Sequence, residues 1–414
     1  MQRRRIETIA ILGDGPAATT LATQLARTGR RVGLYSAGER PELIVGESLV
    51  PAIIPILRDL GVEDEIASFS TYKPGATFVL SSSERQQFSF GDVQGRLPGY
   101  AYNVPRGRFD GVLRRACEQS GARIIEARAR VERVGDEPRL CAESLAAADG
   151  LFGEAPDLLV DATGRSRTFA RLLDLPTTTG DRRDTALFAH HEGVRIDAEG
   201  HVHTDRLERG WAWRIPLPGR TSLGIVVDQD VLKRLGSSAE EQYDGYLAAE
   251  PRLKSLCAGA RRITPVLKYT NYQLITERGV GNGWALLGDA FGFVDPVFSS
   301  GLYLAMDGAR HLVRAIEAGS ARAFERYERH TIKHIGAWQT IVRYFYDGRL
   351  FTLFKVGDQM TENVIGKLAN PHAKKHLPQI FTGEATDRFY SRNLLDFMIR
   401  HALRGHEPRD LMVS

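Results

Sequence analysis

Residues 6–35 read IETIAILGDGPAATTLATQLARTGRRVGLY, and the order of residue types in this stretch decides the fold class. Ile6 to Leu12 is a short apolar run of the kind found in strands covered on both faces. Gly13 to Gly15 interrupt it, and Ala18 to Thr28 then carries Leu21, Ala22 and Leu25 at helical spacing. Gly29 stops the helix and residues 32–35 form a second strand, completing a right-handed βαβ unit. The pattern GxGxxA therefore follows a strand and opens a helix, which is the context it needs. Gly13 permits a tight turn and Gly15 lets the backbone approach a pyrophosphate. Pro16 and Ala17 start the helix, whose N-terminus offers amide donors and a positive dipole end, and Ala18 allows close helix–strand packing. A glycine-rich turn without a ligand is the plain alternative. Where the second strand ends, the acid that usually takes the ribose hydroxyls is replaced by Ser36, with Glu39 three residues farther on.

Working outward, Pro51 to Leu60 reads as a helix stopped by Gly61, and Phe109 to Ser120 as another. From Thr77 to Val104, and again from Ala186 to Leu274, short strand-like pieces alternate with turn residues, which suggests one antiparallel sheet assembled from separated parts of the chain. Asp157 to Asp161 and Trp284 to Leu287 are strands that end in glycine turns. From Ser300 onward helical patterns dominate. The expected fold is α/β: a doubly wound domain from 1–72, 106–180 and 275–330, an antiparallel-sheet substrate domain from 73–105 and 181–274, and a helical C-terminal region over 331–414.

The bulk properties agree with this plan. A chain of 414 residues exceeds the usual span of a single core, so two or more lobes are expected. A formal net charge of +4, with 26% charged residues, is too mild to argue for nucleic acid or a membrane surface. No run approaches the ~20 apolar residues of a membrane span, and the short apolar run after MQRRR does not make a signal peptide. Cys117, Cys141 and Cys257 form no CxxC pair and read as reduced thiols of a cytoplasmic protein. His190-His191 and the later His372, His376, His401 and His406 lack partners at ligand spacing, so no metal site is expected. Lys374, Lys375, Arg388, Arg392, Arg400 and Arg404 make the last helices basic, most simply as a solvated face.

Two further strand-ending turns, DLLVDATGR at 157–165 and ALLGDAFGFVDP at 285–296, resemble the DxxxxATG and GDA elements of the large flavoprotein family that includes aromatic hydroxylases. The segments GESLVP (46–51), YKPGATF (72–78), VPRGRFD (104–110), WAWRIP (211–216) and DPVFSSG (295–301) narrow the resemblance to flavin-dependent halogenases and halogenase-like FAD monooxygenases, over about the first 315 residues. That resemblance implies FAD, held by Gly13, Gly15, Pro16, Ala17, Ala18, Ser36, Glu47, Ser48, Arg106, Asp161, Gly164, Gly288, Asp289, Pro296 and Gly301. It implies an aromatic or pyrrole-type substrate, either free or on a carrier or protein, screened from the flavin by Trp211 and Trp213, with Pro216, Ser299 and Ser300 along the passage. Reduced flavin and oxygen would form a flavin hydroperoxide, halide would be converted to hypohalous acid, and Lys73 would activate or carry that oxidant. Asp110 reads as a helix-terminal charge. No second dinucleotide fingerprint is visible, so reduced flavin is expected from a separate flavin reductase or from transient nicotinamide contact. A flavin monooxygenase that hydroxylates a tryptophan-type group of a small molecule or protein is the alternative.

Overall fold

The computed structural model describes residues 5–38, 43–81, 83–93, 95–180, 182, 184–271, 273–353, 379–383 and 408–413. Glu39, the four late histidines and the basic residues between 374 and 404 lie outside them.

The opening stretch folds as its pattern requires. Thr8–Leu12 is a strand with all five residues buried, and the helix Pro16–Ala26 follows with Gly15 at its N-cap and proline at its start. Proline suits that position because its missing N–H would be unpaired there anyway. Thr8–Leu12 lies between Arg31–Tyr35 and Leu158–Asp161, all parallel. Arg123–Ile125 and Trp284–Leu286 extend the sheet in parallel on either side, and Val280–Gly281 adds an antiparallel edge to make six strands. Gly13 has φ of +101°, and a Cβ there would lie 2.5 Å from the carbonyl oxygen of Ala162. The tight turn and the end of the Leu158–Asp161 strand therefore meet only because residue 13 has no side chain.

A second sheet has eight strands. Its strands Asp184–Glu192, Arg220–Asp228, Trp211–Leu217 and Val202–Arg206 pair antiparallel in that spatial order. The hairpin of Gly75–Val79 and Arg85–Ser89 completes this side of the sheet, but Gly75–Val79 joins Val202–Arg206 in parallel, with Ala76 opposite Val202. The expected antiparallel sheet from separated parts of the chain is thus present, with one parallel junction within it. Alternation along a strand reports its faces and not its direction, and these segments are too far apart in sequence for a turn to fix their sense.

Helices Gly301–Ala318 and Ala321–Tyr346, with the short helices Gln379–Thr382 and Pro408–Leu411, are among the described C-terminal elements, and Gly301–Ala318 packs on Pro16–Ala26. One apolar cluster runs through both sheets, from Ile9 and Trp284 to Trp213 and Phe345. A second lies between the far face of the eight-stranded sheet and the helices Ala239–Ala249 and Pro251–Leu256, around Leu223, Ile225 and Tyr243. Among the described residues, no helix is long and apolar enough to cross a membrane. The three cysteines are unpaired.

Candidate functional site

A cavity of about 320 Å³ opens where the turns of the parallel sheet meet the eight-stranded sheet. One wall, on the side of the parallel sheet, is made by Gly15, Pro16, Ala17, Gly164 and Asp289, and the opposite wall by Trp211 and Trp213. The two indoles are brought together by strand geometry: residues two apart share a face, and their ring centroids are 5.7 Å apart. Ile215 continues the same face into the cavity. Pro216, one residue out of phase, therefore does not line it, which corrects its place in the passage. Trp213 lies across Gly224 of the neighbouring strand, where a Cβ would come within 2.1 Å of the indole. The Trp213 indole N–H donates to Ser222 Oγ at 3.3 Å.

Of the other candidates, Glu47, Ser48, Arg106, Pro296, Ser299 and Gly301 line the cavity as well. Arg106 is buried and donates through Nε and Nη2 to the Asp110 carboxylate at 3.0 and 3.1 Å, and through Nη1 to the Val45 carbonyl. Asp110 is thus a buried counter-ion and not a helix-terminal charge. Glu47 meets His190, with 2.8 Å between Oε1 and Nε2 and both side chains buried. Asp289 accepts no hydrogen bond from the described residues. Burial pushes its carboxyl up to about 6, while Arg165 and Arg106 pull in the opposite direction.

Several candidates build the site without facing it. Gly13 and Ala18 close the turn and its packing, and Gly288 stands behind Asp289 with its vacant Cβ position 3.2 Å from the Ala17 Cβ. Ser36 is buried and donates its hydroxyl to Asp14 at 3.0 Å. Asp161 accepts from the backbone N–H of Thr163 at 3.0 Å and of Phe169 at 2.7 Å, and from the Thr163 hydroxyl at 2.6 Å. It shapes the turn after its strand. Burial holds its carboxyl above the usual carboxylate range, against the pull of those bonds. Ser300 is buried and absent from the cavity wall.

Lys73 lies behind the wall as well. Its Nζ donates to Ser48 Oγ at 2.8 Å and to the Leu49 carbonyl at 2.6 Å, and sits 5.3 Å from the centre of the Phe90 ring. Burial pushes this ammonium down to about 7, so near neutral pH it exchanges between charged and neutral forms. Lys73 does not itself line the cavity and is linked to it through Ser48, which does.

Sequence reading missed three contributors. Arg165 lines the cavity, 5.4 Å from the Tyr269 ring centre and 5.2 Å from that of Phe293; its place beside Gly164 was the available signal. His190 pairs with a residue 143 positions away, and nothing local announces that. Tyr346, at the end of a long helix, accepts from the Trp211 indole and donates to Asp295.

Residues 8–99 and 95–354 match the family model described as tryptophan halogenase. The tryptophan 2-halogenase of Chondromyces crocatus is 30% identical over 377 residues, covering 86% of this chain and 72% of that protein. The flavin-dependent halogenase armH3 of Armillaria mellea is 30% identical over 342 residues, covering 75% of this chain and 67% of that protein. Among solved structures, the myxobacterial chondrochloren halogenase CndH is 30% identical with a TM-score of 0.72, covering 83% of each chain. A flavoprotein/dehydrogenase from Cytophaga hutchinsonii superposes with a TM-score of 0.81 at 22% identity, covering 97% of this chain and all of that one, and is alike in fold.

Proposed function

The chain belongs to the tryptophan-halogenase family of flavin enzymes, and from that premise we propose that it uses FAD to halogenate an aromatic substrate of indole, phenol or pyrrole type. The observation that carries this reading is the cavity bounded on one side by Gly15 to Ala17 and Asp289 and on the other by Trp211 and Trp213.

The residues present fit FAD. The helix Pro16–Ala26 has no side chain capping its N-terminus and no acid in its first turn, so its first amides and dipole remain available for a pyrophosphate. A Cβ at Gly15 would have nothing within 4 Å, which leaves the space a phosphate needs. Bound and reduced, FAD supplies the electrons that activate oxygen. Asp289 and Arg165 face the same space with opposite charge and would orient the isoalloxazine end. Trp211 and Trp213 keep a planar substrate apart from the flavin while walling off water. Lys73 and Ser48 form a relay whose proton position changes near neutral pH, and it would polarise the oxidant by charge-assisted hydrogen bonding. The division into 1–72, 106–180 and 275–330 for the cofactor, and 73–105 with 181–274 for the substrate, belongs to the same proposal. So does a separate reductase that delivers reduced flavin.

Enclosure of Lys73 Nζ by Ser48 and Leu49 favours one second reading, oxygen insertion without a halogen carrier. The mass of the product formed from reduced FAD, oxygen, bromide or chloride and a panel of indoles, phenols and pyrroles separates the two. A halogen isotope pattern supports the proposal. A product heavier by one oxygen and indifferent to halide replaces it with the second reading.

A further inference from the structure

We propose that Asp307, His330 and His334 bind a divalent transition-metal ion of zinc type that clamps the two long C-terminal helices to each other. Asp307 lies on Gly301–Ala318, while His330 and His334 are four residues apart on Ala321–Tyr346 and so share one face of it. One ligand atom from each lies within 4.8 Å of the other two. From Asp307 Oδ2 the separations are 3.6 Å to His330 Nε2 and 3.8 Å to His334 Nδ1. Those distances are too long for hydrogen bonds. They lie near the spacing of two donor atoms on one tetrahedral ion, which bonds of about 2.0–2.2 Å set at roughly 3.3–3.5 Å.

Further observations favour a bound ion over a plain ion pair. His330 Nε2 is buried and has no hydrogen-bond partner. Arg310 Nη1 stands 3.9 Å from Asp307 Oδ1, on the carboxylate oxygen that the two histidines do not face. His311 also lies 3.6 Å from Asp307 Oδ2, but its ring stacks on His330 at 3.6 Å between centroids and 21° between planes. Two nearly parallel rings cannot both aim lone pairs at one ion, so His311 packs the ligand His330 in place. Asp307 and His334 are buried while His330 is half-buried, which leaves a side for the ion to enter and for water to complete its shell. Sequence reading expected no metal site because it weighed other histidines. The cluster is also separate from the cavity: Ala305 lines that space, and Asp307, two positions on, points about 200° around the helix from it.

The test uses untagged, FAD-loaded protein stripped with chelator and then given zinc chloride, with metal content per chain and thermal midpoint as readouts. About one zinc per chain should be retained after gel filtration, and the midpoint should rise by several degrees, as expected for a ligand that binds only the folded state. His330→Ala and the near-isosteric Asp307→Asn should both lose retention and thermal response with the flavin spectrum unchanged, while His311→Ala keeps metal. Retention below about a tenth of an equivalent in the unaltered protein would overturn the site. Equal retention in His330→Ala and Asp307→Asn would do the same.

Discussion

The Trp211 indole nitrogen donates to the Tyr346 hydroxyl at 2.8 Å. Tyr346 in turn donates to Asp295 Oδ2 at 2.7 Å, so the cavity wall, the last turn of the long helix and the loop before Pro296 share one buried chain of hydrogen bonds. Arg182 lies 3.9 Å from the centre of the Tyr346 ring and covers it. Tyr346→Phe keeps the ring and removes the hydroxyl that both neighbours use. It should cost about 1–3 kcal/mol, the range for depriving a buried polar group of its partner. Urea unfolding measures that loss, and unchanged stability would show that Trp211 finds another acceptor.

Trp213→Ala should cost more, about 3–5 kcal/mol for a buried aromatic. If the variant folds, reduced flavin should be consumed with more peroxide and less product, because the wall between substrate and flavin has been thinned. The ratio of peroxide to product, compared at equal FAD occupancy, is the deciding measurement. An unchanged ratio removes the screening role.

Asp289→Ala should weaken FAD retention roughly tenfold to a hundredfold, the equivalent of one hydrogen bond to a charged group at about 1.5–3 kcal/mol. Flavin fluorescence on titration reports it. Equal affinity in the variant would move the flavin contact elsewhere along the loop.

Lys73 gives a pH-dependent outcome. Its ammonium sits near 7 in the folded chain and at the ordinary 10.5 when unfolded. Between those values the unfolded state binds more protons, so this residue makes stability rise as pH increases from about 7 to 10.5. Lys73→Met should flatten that part of the stability–pH curve while FAD still binds. Product formation should fall on the order of 10²–10³, as when a placed electrostatic group is lost. A Lys73→Met variant with full turnover and no halide requirement would refute halogen transfer through this residue.

The parallel sheet and its three turns were legible because each signal is local: an apolar run, a glycine turn and the start of a helix lie within a few residues of one another. Trp211 and Trp213 were legible for a similar reason, since alternation alone places both on one face. What escaped was set by partners far away in sequence. Ser36 was assigned to ribose from its position alone, and its hydrogen bond to Asp14, 22 residues earlier, has no local signal. Asp161 looked like a ligand and is the clasp of its own turn. Lys73 was identified by its neighbours, whereas its depth depends on how Ser48 and Leu49 fold over it. For the Asp307 cluster the four-residue spacing of His330 and His334 was readable, but only helix packing supplies the carboxylate.

The parallel pairing of Gly75–Val79 with Val202–Arg206 also imposes an order on synthesis. When the hairpin of 75–89 leaves the ribosome, the strand that will cover its free edge is more than a hundred residues from being made. At roughly 5–20 residues per second that interval lasts about 6–25 s. Throughout it, Ala76, Phe78 and Val79, all buried in the finished protein, present an open strand edge able to pair with another nascent chain. Yield in a fast-translating host should therefore depend on chaperone supply and growth temperature more than on the equilibrium stability of the folded enzyme.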